Sequence, residues 1–190
     1  MNDNQDKRTL ATSTASRAER DVKLSALAVL PGVAKERYGE CFDQHRLEQY
    51  KLYVEMADRV SSRRMTANSF FVTINTALVA LLGLAVAKDE TERLGWYFAV
   101  SAAGVLVSSL WYSLIRSYRD LNSAKFNVVH LVEQELPLKL YDAEWEMVGR
   151  GKNTNLYRPV THIESKIPGL FIGIYILLAM YVSFVAYRHH

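Results

Sequence analysis

Apolar residues in this chain fall into three uncharged blocks, separated by stretches dense in charge. The first block, NSFFVTINTALVALLGLAVA, runs from Asn68 to Ala87 without an Asp, Glu, Lys or Arg. Arg63 and Arg64 precede it, and Lys88, Asp89 and Glu90 follow it. An α-helix rises about 1.5 Å per residue, so such a block reaches roughly the 30 Å of a bilayer's hydrocarbon core. The second, LGWYFAVSAAGVLVSSLWYSLI, has Trp96 and Tyr97 at one end and Trp111 and Tyr112 near the other. Those are the places where amphipathic rings settle at a membrane boundary. The third, IPGLFIGIYILLAMYVSFVAY, ends at Tyr187, with Pro168 either in its first turn or as a kink. The pattern predicts transmembrane helices at 67–87, 94–115 and 167–187. The short charged connector makes the first two an antiparallel hairpin.

The polar stretches have patterns of their own. Residues 1–22 are Ser/Thr-rich with almost no large apolar group, and are read as a disordered tail. Residues 23–66 read as a cytosolic helical region in which Leu47, Tyr50, Val54, Ala57 and Ser61 recur at alternating spacings of three and four. Neither Gly nor Pro separates that stripe from the first span, which predicts one continuous helix over about 43–87. Its cytosolic stripe is expected to pack between neighbouring subunits. Residues 116–166 form a second cytosolic helical region: an extension of the second span to Pro137, a short helix near Asp142–Val148, and a loop at Gly149–Asn155. Thr161 and Glu164 stand at capping-box spacing ahead of the third span. The fold class is all-α: an integral membrane protein of three transmembrane helices, its long first helix extending into the cytosol.

Charge placement sets an expected orientation. Lys and Arg number twelve in residues 1–66 and eight in 116–166, against two in 88–93 and one at Arg188. By the positive-inside rule the N-terminus lies in the cytoplasm and the C-terminus outside. The net charge of +3 is too small to argue for nucleic acid. The single cysteine, Cys41, excludes an internal disulfide and a cysteine zinc site. The first apolar block begins too late for a signal peptide.

Candidate functional residues lie on the first span. Ser61, Asn68 and Asn75 are seven apart and share one helix face, with Leu82 a further heptad on and Val79 beside it. Unpaired amides are costly in lipid, so this face should not meet lipid. Two readings stand: the polar stripe Ser61, Arg64, Asn68, Asn75 bonds across helices, or it lines an aqueous path that Val79 and Leu82 constrict by dewetting. Gly169 and Gly173 form a GxxxG packing motif in the third span; Ala99/Ala103, Gly104/Ser108 and Gly83/Ala87 repeat the spacing. The basic cluster Arg59, Arg63, Arg64, Arg116 and Arg119 is read as lipid-headgroup contact. No catalytic, cofactor-binding or metal-ligating residues are assigned. Gly149–Lys152 lacks P-loop spacing, and the five histidines are scattered without metal spacing.

The runs YKLYVEMADRVSSRRMTANSFFVTINTALVALLG (50–83), WYSLIRSYRDLNSAKFNVVHLVEQELP (111–137) and LYRPVTHIESKIPGLF (156–171) resemble the RipA-like octameric membrane proteins of bacteria. The resemblance covers about residues 45–187. It implies a homo-octamer in the bacterial inner membrane and no reaction; relatives look like those found near mobile elements and defence genes. The expected function is a homo-oligomeric ring with a central pore or chamber, channel-like or membrane-perturbing, in defence or stress response. The alternative is a non-conducting scaffold that recruits an unidentified cytosolic protein. Partners are other copies of the chain and membrane lipids, with no cofactor, no nucleic acid and no enzymatic activity.

Overall fold

The structure, a computed structural model, describes residues 21–22, 24–84, 89–151, 156 and 161–188. The tail expected over 1–22, apart from its last two residues, lies outside these. So do the end of the first span at 85–87, the first connector residue, most of the loop at 152–155 and the side chain of Thr161.

Two long helices and a shorter one carry the fold. Helix α1 spans Phe42–Gly83, 42 residues, and α2 spans Glu90–Glu133, 44 residues. Each is roughly 65 Å long, about twice the thickness of a bilayer's hydrocarbon core. Helix α3, Leu140–Met147, is short, and α4 covers Lys166–Arg188. Helices α1, α2 and α4 are each long and apolar enough to cross a membrane. The continuous first helix is as the sequence predicts, because α1 has no Pro and no Gly before its last residue. The extension of the second span is also continuous, ending just ahead of Pro137.

Helix α2 is the centre of the bundle: α1 packs along one of its sides and α4 along another. Its inward seam reads Val100, Gly104, Ser108, Trp111, Ile115, and continues beyond the spanning block through Val129 and Glu133. Steps of three and four, with two heptads between Ile115 and Val129, keep these positions on one stripe of a helix 44 residues long. The hairpin is tied near its connector by the Trp96 indole N–H, which donates to the Leu81 carbonyl at 2.9 Å. Pro168 falls in the first turn of α4, where its missing N–H costs no helical bond, and it is buried.

Two sequence expectations change. Trp111 is not a boundary ring: it is 1% exposed, stacked on Phe71 at 5.9 Å and tilted against Phe171 at 6.2 Å. Its position on the α2 seam directs the ring between α1 and α4. The stripe Leu47, Tyr50, Val54, Ala57 and Ser61 is also covered in part within the chain, with Leu47 left exposed. Ala57 is buried, and Val54, Ala57 and Ser61 line a small cavity with Phe126 and Val129 of α2 and Tyr141 of α3. The extended part of α2 runs beside α1 and covers this stripe within the same chain.

Candidate functional site

The polar residues of the first span meet complements on the other two helices. Asn75 is fully buried. Its amide Nδ2 donates to the Phe71 carbonyl one turn back at 2.9 Å. Its Oδ1 accepts the Ser108 hydroxyl of α2 at 2.9 Å. Its backbone carbonyl accepts the Tyr175 hydroxyl of α4 at 3.2 Å. One residue thus bonds to both other membrane helices. Tyr175 reaches it across Gly104, where a β-carbon would collide with the tyrosine ring. A helix interior otherwise disfavours Gly, but here the missing side chain is the space the ring occupies.

Two turns nearer the charged half, Asn68 Oδ1 accepts the Trp111 indole N–H at 2.9 Å. Arg64 follows on the same face, its Nε 3.6 Å from Glu164 Oε2, with both side chains largely covered. Glu164 therefore turns toward α1. Ser61 lines the small cavity described above. The polar stripe Ser61, Arg64, Asn68 and Asn75 lies along the face of α1 that packs on the other helices. Val79 is exposed and Leu82 half-buried, so these two do not share one environment. Gly169 and Gly173 have nothing within 4 Å of an added β-carbon; within the chain, Gly104 is where a helix comes close.

A second face of α1 carries hydroxyls. Ser62, Thr66, Ser69, Thr73 and Thr76 recur at steps of four and three, all exposed and on the side opposite Asn75. Four of these hydroxyls donate to their own backbone one turn back: Thr66 to Ser62, Ser69 to Met65, Thr73 to Ser69 and Thr76 to Val72. Each proton is satisfied within the helix, while the oxygen lone pairs face outward.

Outside the spanning blocks, Glu133 organises the polar end of the bundle. It is 1% exposed. Its Oε1 accepts the Tyr141 backbone N–H at 2.9 Å and the Tyr50 hydroxyl at 3.2 Å, and its Oε2 accepts the Asp142 N–H at 3.2 Å. His130 Nδ1 lies 3.7 Å from Oε2. The carboxylate thereby caps the first turn of α3, where N–H groups lack helical acceptors. Burial, with the Glu133 charge beside it, pushes the Tyr50 hydroxyl up to about 12. The sequence reading did not single out Glu133, Tyr50 or Tyr175 as site residues. Their signal is spacing: Glu133 continues the α2 seam from Val129, and Pro168, Tyr175 and Val182 form a heptad that is buried throughout.

Among the described residues, no three His, Cys, Asp or Glu side chains gather as a metal set. The site is a set of inter-helix bonds and one outward hydroxyl face, with chemistry suited to assembly and membrane contact. Residues 47–184 match the octameric membrane protein family (8xMP). No curated protein and no solved structure matches the chain.

Proposed function

The chain belongs to the octameric membrane protein family, and from that premise we propose that eight copies form a ring around a central path or chamber in the membrane. The observation that carries this reading is the hydroxyl face of α1. Thr66, Ser69, Thr73 and Thr76 point away from the chain's own helices through the spanning block. Hydroxyls with satisfied protons and open lone pairs tolerate lipid, yet they also suit water or a polar solute, which a purely apolar face does not. Beyond Thr76 the same face continues through Ala80 and Leu84, apolar and exposed, a stretch that closes by dewetting. The fully covered Asn75 serves in this reading as an inter-helix tie and not as pore lining. The basic side of the ring faces the cytoplasm of a bacterium, following the Lys and Arg distribution. The ring works without catalysis.

The test uses Thr73→Cys with Cys41→Ser in reconstituted liposomes. A charged thiol reagent, which reacts only where water reaches, should modify Thr73→Cys and change solute flux. A thiol that stays unmodified in intact octamers, with flux unchanged, removes the hydroxyl face from any aqueous path.

A further inference from the structure

We infer that adjacent copies of this chain join outside the bilayer through two different surfaces, the Leu52–Met56 side of α1 on one copy and the Leu140–Met147 face of α3 on the next. Exposed apolar residues within the spans can be covered by lipid, so their exposure does not single out a partner. Those outside the spans have no such cover. On α1, Leu52 is 57% exposed and Met56 46% exposed, in a helical half flanked by Lys51, Glu55, Asp58 and Arg59. Both lie on the side turned away from Tyr50 and Ala57, which pack on α2 and α3. On α3, Leu140 is 66% and Met147 82% exposed, with exposed Leu138 just ahead. Seven residues separate Leu140 from Met147, which puts them on one face, away from the inward Tyr141.

Three observations choose a second copy as the occupant. The family assembles as octamers by its name, so each copy has neighbours on two sides. A cyclic octamer with one contact per neighbour needs unlike surfaces that meet head to tail, since a like-to-like contact closes at two copies. Among the described residues, the Leu52–Met56 side of α1 and the Leu140–Met147 face of α3 are two such surfaces on different helices; a further exposed apolar run, Val22 to Val33, lies ahead of α1. Charge also matches: exposed Arg63 lies one heptad beyond Met56 on the same side of α1, and exposed Glu144 lies between Leu140 and Met147 on α3. Leu52 stands two and three heptads before Thr66 and Thr73, so this contact lies on the continuation of the hydroxyl face outside the spanning block. The inference rests on octameric assembly and holds whether or not the ring conducts.

The experiment is thiol cross-linking of the full chain in its membrane, in a Cys41→Ser background, with a short bifunctional maleimide. The chain carrying both Met56→Cys and Met147→Cys should give a ladder of covalent multimers ending at the octamer. Co-expressed single variants should give covalent dimers only, and each single variant alone should stay monomeric. Met56→Glu should reduce the octamer to smaller species that remain membrane-inserted. Dimers from Met56→Cys alone would reveal a like-to-like contact and overturn the proposal. So would a doubly substituted octamer that yields only monomers, a soluble protein captured in place of a second copy, or an undiminished Met56→Glu octamer.

Discussion

Gly104 and Tyr175 decide how closely α4 approaches α2. The tyrosine ring fills the space a β-carbon would take, and its hydroxyl reaches Asn75 on the far helix. Gly104→Ala should therefore cost about 1–3 kcal/mol, the range for an overpacked contact, set against a gain of under about 1 kcal/mol from helix propensity. Thermal unfolding in detergent measures this. In a Tyr175→Ala background the same substitution should cost little, because the ring it strikes is gone; an unchanged cost would mean that the strain lies elsewhere. Asn75→Leu belongs to the same cluster. It leaves Ser108 without its acceptor in a buried site and should destabilise the subunit by roughly 1–2 kcal/mol, with Ser108→Ala recovering part of the loss.

Helix α3 is eight residues long and would not persist alone in water. Two of its first-turn N–H groups find their acceptors on the Glu133 carboxylate, which is held by Tyr50. This dependence has a pH signature. Tyr50 titrates at about 12 in the fold, and an unfolded tyrosine titrates near 10. The folded state holds its proton more tightly, so the contribution is complete below about pH 10 and is lost as pH rises towards 12. Detergent-solubilised protein should lose stability across that window, and Tyr50→Phe should flatten the loss attributable to this site. Equal slopes for the two proteins would show that Tyr50 is not the linked group. Glu133→Leu should go further at neutral pH, opening α3 to amide exchange while the spans stay protected.

The three spans hold together through α2, yet α1 and α4 are also tied directly at Asn75–Tyr175, and Arg64 of α1 meets Glu164 just ahead of α4. The second tie stands where α1 approaches its uncharged block and the chain is about to enter α4. Arg64→Ala leaves the largely covered Glu164 carboxylate without its cation and should cost about 1–3 kcal/mol. Replacing both partners with Leu should restore most of that. A double substitution as damaging as the single one would place the role of Arg64 outside this pair. Under the head-to-tail contact inferred above, the octamer adds cover for the apolar surfaces of α1 and α3 outside the spans.

Length, charge pattern and helical spacing were enough for the three spans, the unbroken α1, the run-on of α2 towards Pro137 and the face shared by Ser61, Arg64, Asn68 and Asn75. These are local matters: a helix needs only its own backbone bonds and an apolar run long enough for the bilayer. Spacing says which side chains share a face but not what stands opposite. For that reason Trp111 reads as a boundary ring until α1 and α4 close over it, and the Tyr50–Ala57 stripe reads as a subunit contact until α2 is seen lying along it. Glu133 looks like one more solvated carboxylate at a helix end; only the return of α3 onto α2 turns it into a buried cap. Partners across helices are chosen by packing at long sequence separation, and no periodicity within one helix encodes them.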